Sequence, residues 1–454
     1  MKIQLSLLLY FFSLLLFTTS CEDEDIAPSD VRKINNFIKT NMDDTYFWKN
    51  EMPDLNPNKQ YDSEKYFNAL LYDEIDQWSF ITDDYKGLQK YFSGIRKSMG
   101  HSIRLFRLAD NSTELIGFVE YTYPDSPAER AGLNRGDMFY KINNQQLTID
   151  NYSSLLGDEE YKMTLGTLNA DNSITPQTPE INLVAEELST NPVLVHKVIH
   201  HGGKKIGYLA YTSFIHDYNP ELESAFAEFK AASIDELVID LRYNGGGAVS
   251  SAILMSSMIA PVNKTNEIFI RTTYNSNLED YFKEKNPENP DLFNDRLTNH
   301  VNNLNLSRLI ALTTYKTASA SEMVMYGLSP HMNVYHIGEQ THGKYYGSIT
   351  IGDSENHNWA IQPIVMRVEN ENNSIDYSQG LIPNEEVTDF LDATAFYQLG
   401  DIKEDFLARA LYHITGELPK GAVLKSASVS PLAPLNKEYL FLHPLNSDMQ
   451  FQLQ

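Results

Sequence analysis

Leu309-Ile310-Ala311-Leu312, then Thr317-Ala318-Ser319-Ala320-Ser321-Glu322, then Met323-Val324-Met325-Tyr326 is the stretch on which the reading of this chain turns. The first run reads as a buried strand, the small residues as a tight turn, and the last run as the start of a helix. That order puts the Ser319 hydroxyl at a helix N-terminus, where free backbone N–H groups stabilise an anion. Lys344 follows 25 positions on (344 − 319), at the end of Thr341-His342-Gly343-Lys344 and after a second strand-like run, Val334 to Gly338. A lysine beside such a serine can activate the hydroxyl as a nucleophile. The pair therefore points to a serine hydrolase using a Ser-Lys dyad.

Upstream, Ile206-Gly207-Tyr208-Leu209-Ala210-Tyr211 reads as a strand and Glu221 to Ala232 as an amphipathic helix. Leu237-Val238-Ile239-Asp240-Leu241 is a buried strand leading into Arg242-Tyr243-Asn244-Gly245-Gly246-Gly247, with a helix from Ser250 to Ile259. Neither phosphate-binding glycine pattern is present. The glycines instead let backbone N–H groups approach a developing oxyanion. Val262 to Ser307 is rich in Asn, Asp, Glu and Lys and reads as a polar insertion or a lid-like excursion between the glycine turn and the nucleophile strand.

Between Ser98 and Glu187 the text changes to short strands around turn signals. Ser126 can cap a one-turn helix opened by Pro127 and closed by Gly132, and Gly136-Asp137 is a turn before the strand Met138 to Ile142. The phrases Ser126-Pro127-Ala128 … Ala131-Gly132-Leu133 … Gly136-Asp137 resemble the core of a PDZ domain, a module that binds peptide C-termini by strand addition. On that resemblance the carboxylate nest falls at Gly100, His101, Ser102 and Ile103, although the usual glycine pair is missing. From Pro28 to about Lys97 the apolar spacing is helical, with Trp48 and Trp78 expected in the core or at a domain interface.

Taken together, these phrases resemble the C-terminal processing peptidases, or tail-specific proteases, Ser-Lys enzymes that join a PDZ domain to a crotonase-like core. The resemblance rests on Asp240 to Gly247, Thr317 to Glu322, Thr341 to Lys344 and Gly380-Leu381-Ile382-Pro383-Asn384, in the family's order. It implies an α/β fold with a crotonase/ClpP-like Ser-Lys protease core, an inserted or preceding PDZ-like β-rich domain and a helical N-terminal region. It makes Ser319 the nucleophile and Lys344 the base. Backbone N–H groups of Ala320 and of Gly246 or Gly247 would form the oxyanion hole. Ser348 stands where the family often has a lysine-orienting glutamine and is the candidate for that role, while His342 replaces the usual aromatic beside the lysine. Lys344 must be desolvated, because an exposed lysine stays charged at neutral pH. Ser321 is read as support for the helix start, and Glu322 as a first-turn acid that favours the helix dipole.

The expected domains are a lipoprotein-type signal peptide at 1–20 with Cys21 lipidated, an acidic linker at 22–27, a helical domain at 28–97, a PDZ-like domain at 98–190, the protease core at 191–416 and a C-terminal tail at 417–454. Lys2, the apolar run Ile3 to Phe17 and the small residues Thr18-Thr19-Ser20 mark the export segment. Cys21 is the only cysteine, so no internal disulfide can form. The expected location is the cell envelope, as an outer-membrane lipoprotein held by its lipid and facing the periplasm or the outside. Apolar residues at 42% and charged residues at 21% are ordinary for a globular chain of 454 residues. A net charge of −25 argues against nucleic acid as a partner. No His-Glu-x-x-His pattern occurs and the 12 histidines show no ligand spacing, so no metal or cofactor is expected. The substrates would be proteins or peptides. Two other readings stand beside this one: a Ser-His-Asp hydrolase with His342 or His336 as base, and a non-catalytic lipoprotein that binds peptides through its PDZ domain.

Overall fold

The computed structural model describes residues 26–109, 112–169, 171–372, 377–390, 396–424, 433–434 and 449–450. The export segment, Cys21 and the acidic run 22–25 lie outside the described residues.

The core is a six-stranded sheet in the order 193–201, 204–211, 236–240, 308–313, 333–338, 385–386. All neighbours pair in parallel except the first two strands, which form an antiparallel edge. Both faces of such a sheet are covered, so its strands read as continuous apolar runs. Leu237 and Ile239 point to one face, where Asn219–Ala232, Val249–Ile259 and Ala320–Leu328 pack. Val238 and Ile310 point to the other, against Phe406, Leu407, Ala410 and Leu411 of the helix Asp405–Thr415.

The parallel strands 236–240, 308–313 and 333–338 are neighbours, so the loops after them emerge side by side. Those loops are the glycine turn, the Ser319 turn and the Lys344 loop. Crevices at the carboxyl ends of parallel strands are the usual ligand sites of α/β sheets.

A second six-stranded sheet runs 247–248, 449–450, 346–348, 364–369, 268–274, 294–296. It corrects the reading of 262–307 as a lid-like excursion. Ile268–Tyr274 is an internal strand paired on both sides, and Phe269, Ile270, Leu297 and Leu306 are buried in the core. The polar residues around these positions hid a short apolar strand.

The PDZ-like segment forms its own sheet from 101–107, 115–122, 138–142, 160–168 and 174–176, with Ala433–Pro434 of the tail on the 101–107 edge. Ser126 caps the helix Pro127–Arg130 by accepting from the Glu129 N–H at 3.2 Å, as its sequence requires. The N-terminal region is helical over Ser29–Thr45, Ser63–Leu70 and Tyr85–Phe92. It also contributes a strand, Phe80–Thr82, that pairs with Ala360–Gln362 next to the core.

Candidate active site

Ser319 caps the helix Ala320–Leu328 with φ 63° and ψ −119°, a backbone region that non-glycine residues adopt only when the surroundings enforce it. The surroundings here are the glycine turn. A Cβ on Gly246 would lie 2.7 Å from the Ser319 Cβ and 3.0 Å from the Ala320 nitrogen, so only glycine fits. Hydrogen bonds fasten the two loops together. Ala318 N–H and Ser321 Oγ both donate to the Asn244 carbonyl, at 3.1 and 3.0 Å. Thr317 Oγ1 donates to the Leu241 carbonyl at 2.8 Å, and Thr314 Oγ1 to that of Arg242. Ser321, expected to support the helix start, ties that start to the glycine turn through the Asn244 carbonyl.

Ser319 is 0% and Lys344 1% exposed, so the burial expected of the lysine is present. Ser319 Oγ makes no hydrogen bond among the described residues. Glu322 is the first-turn acid expected of it, and it does more than that position implies: it is fully buried and gathers four donors. One oxygen, Oε2, accepts from the N–H of Ser319 at 2.8 Å and from that of Lys344 at 2.9 Å. The other, Oε1, accepts from the Gly343 N–H at 2.7 Å and from the Thr341 hydroxyl. A single carboxylate therefore fixes both backbone positions of the proposed dyad. Burial pushes the Glu322 carboxyl up to about 7, against the lowering effect of those four donors.

Of the three residues expected as oxyanion donors, Gly246 lies against Ser319, Ala320 follows it in the chain, and Gly247 lies against the Phe214 backbone. The Gly246 N–H is spent on Asn244 Oδ1 at 2.9 Å. The Gly247 N–H lies outside the bridge to Phe214, which uses the Gly246 carbonyl and the Ala248 N–H. Ala320 supplies the first N–H of the helix. On its other side Gly247 pairs in parallel with Met449 of the tail.

Ser348, 1% exposed, lies on the strand just after Lys344. Its hydroxyl accepts from Nε2 of Gln362 at 3.0 Å, and Gln362 is wholly buried with its carbonyl oxygen accepting from Thr350. A carboxamide does reach this position, but from another strand, which sequence spacing could not reveal. The alternative bases are otherwise engaged. His336 Nε2 pairs with Thr313 Oγ1, and burial pulls its pKa down to about 4. His342 Nε2 faces the Trp78 indole N–H at 3.3 Å.

The residues of the expected PDZ nest sit together but largely satisfy themselves. Gly100 N–H donates to Ser98 Oγ, His101 pairs with Tyr161, Ser102 Oγ donates to Glu120, and the Ile103 carbonyl accepts from Lys316 Nζ at 2.8 Å. Lys316, three residues before Ser319, also pairs with Glu120 at 2.6 Å. The PDZ-like segment is bound further by Arg104 to Glu339 and Arg135 to Asp389, each at 2.8 Å.

A buried serine on a strained strand-to-helix turn, with a buried lysine on the adjoining loop, defines a candidate Ser-Lys hydrolase on a mixed α/β fold. Residues 205–387 match peptidase family S41, residues 33–80 its N-terminal domain and residues 118–166 a PDZ domain. The chain belongs to peptidase family S41.

Among curated proteins it is 26% identical over 223 residues to a carboxyl-terminal-processing protease of Synechocystis, covering 48% of this chain and 47% of that one. It is 26% identical over 228 residues to the carboxy-terminal processing protease CtpA of Bacillus subtilis, covering 48% and 42%. The chain thus spans about half the length of the curated relatives it matches. A crystal structure of an S41 protease from Bacteroides fragilis superposes with a TM-score of 0.69 at 28% identity, over 84% of this chain and 97% of that one.

Proposed function

We propose that this protein is a serine endopeptidase that hydrolyses peptide bonds in unstructured or C-terminal segments of proteins. The observation that carries the reading is the single Glu322 oxygen holding the backbones of Ser319 and Lys344. Lys344 Nζ takes the proton as Ser319 Oγ bonds to the peptide carbonyl carbon. The resulting oxyanion is met by the N–H groups of Ala320 and Gly247, an arrangement in which one donor is worth roughly 3 kcal/mol of transition-state stabilisation. The lysine then protonates the leaving amine as the C–N bond breaks, leaving an acyl-serine. Water, deprotonated by the same lysine, releases the acid. An extended chain suits the cleft, since Gly247–Ala248 and Ser348 both pair in parallel with Met449–Gln450 of the protein's own tail.

The test is incubation of residues 22–454 with unstructured polypeptides, followed by mass spectrometric mapping of the products. Serine-dependent cleavage is the expected result. Its absence would leave a peptide-binding protein in place of an enzyme.

Glu322→Gln separates the carboxylate from its fold. The amide cannot accept from all four donors, so backbone N–H groups lose partners and turnover should fall about 10- to 100-fold. In the parent, protonating Glu322 has the same consequence, so kcat should drop as pH falls through about 7. Stability moves the other way. A carboxyl whose pKa is raised by folding stabilises most below its ordinary range, and that contribution is lost as pH rises through about 7. A pH–rate profile unchanged near 7 in Glu322→Gln would contradict this assignment.

Export and lipidation at Cys21 rest on the sequence of 1–25 alone, and we propose a lipid-anchored envelope protein on that basis. Labelling with a clickable fatty acid in cells should be lost in Cys21→Ala, and equal labelling of both would overturn it.

A further inference from the structure

We propose that Trp78, in the N-terminal helical region, is a positioning residue for Lys344. The inference rests on the Ser-Lys reading and adds a part of the chain that this reading does not use. Trp78 holds the lysine loop at two points. Its indole N–H reaches His342 Nε2 at 3.3 Å, two residues before the lysine. Its ring packs on Tyr346, two residues after, with centroids 5.5 Å apart. An indole N–H can only donate, so His342 Nε2 is the acceptor of this contact. The His342 backbone N–H in turn donates to the Thr317 carbonyl at 2.9 Å, two residues before Ser319. Displacing His342 therefore disturbs both loops.

Trp78 is itself braced. Its own N–H and that of Ser79 both donate to Asp76 Oδ1 at 3.0 Å, while Asp76 Oδ2 accepts from Tyr46 at 2.8 Å. Ser79 Oγ accepts from the Ile364 N–H at 2.8 Å, and the Phe47 N–H donates to the Ile364 carbonyl at 2.9 Å. Trp48 closes over the same Tyr346 ring at 4.8 Å. The helical region thus forms a rigid bracket around the segment that bears the lysine. A base misplaced by a fraction of an ångström loses rate without losing substrate, which is the signature to seek.

The experiment is a double-mutant cycle of Trp78→Phe and His342→Leu on full-length mature protein. It would read kcat and KM on a quenched peptide, Ser319 labelling by a fluorophosphonate, and the thermal midpoint. Each single change should lower kcat and the labelling rate about 5- to 10-fold with KM and midpoint kept, and the double should be no slower than the worse single. Rates equal to the parent would overturn the proposal. So would additive losses, or losses that track a fall in midpoint, since these would mark a purely structural role. If the parent itself shows neither labelling nor turnover, the Ser-Lys reading fails first and takes this inference with it.

Discussion

Lys344→Met is expected to reduce kcat by on the order of 10⁴-fold or more, as much as Ser319→Ala, and the double variant should be no worse than either single. The non-additivity follows from the roles. Without its base the hydroxyl is a weak nucleophile, and without the hydroxyl the base has no proton to take. Folding should survive both changes. Ser319 Oγ makes no hydrogen bond among the described residues, so alanine deletes no partner, and methionine matches the apolar length of a lysine that is 1% exposed. Single-turnover rates on a quenched peptide, beside a thermal melt, would decide. Near-parent turnover in Lys344→Met would show the dyad assignment to be wrong, whatever became of Ser319.

Arg242→Ala should cost about 3–5 kcal/mol of core stability, the penalty for stranding buried charge. Arg242 is 0% exposed. It meets Asp240 through Nε at 2.9 Å and Nη2 at 2.6 Å, and Glu404 through Nη1 at 2.7 Å. Its guanidinium also lies 4.5 Å from the Phe406 ring centroid. Removing it leaves two buried carboxylates facing each other's neighbourhood with less positive charge between them. Glu404 additionally caps the helix Asp405–Thr415 through Leu407 N–H at 3.1 Å. For a domain of this size, the loss should lower the melting midpoint by roughly 10 °C. The effect would reach the site, since the Arg242 carbonyl anchors Thr314 in the Ser319 loop. A midpoint unchanged to within about a degree would mean the network is not what holds the glycine turn.

Much of the site was legible because its chemistry demands consecutive residues. A nucleophile at a helix start needs a strand, a small-residue turn and a helix in sequence, and 309–326 spells that order. A backbone that passes this close to the Ser319 turn needs glycine at positive φ, and Gly246 and Gly247 have φ 110° and 134°. The Ser126 cap and the Gly132 stop were readable for the same reason: caps act within a turn of the chain.

The remainder depends on contacts that no local pattern encodes. Local patterning carries the alternation of strand and helix, the candidate serine and lysine, and the segments 33–80, 118–166 and 205–387 that match known domains. Long-range packing is what turns Glu322 inward to four donors from two loops, brings Gln362 to Ser348 from another strand and makes Ile268–Tyr274 an internal strand. It also closes Trp78 on the lysine loop, where its partner His342 is 264 residues away. Side-chain type and spacing fix what a segment can become. Which buried polar groups meet is settled when distant segments share one dry interior, where a donor left without its acceptor costs more than the bond itself contributes.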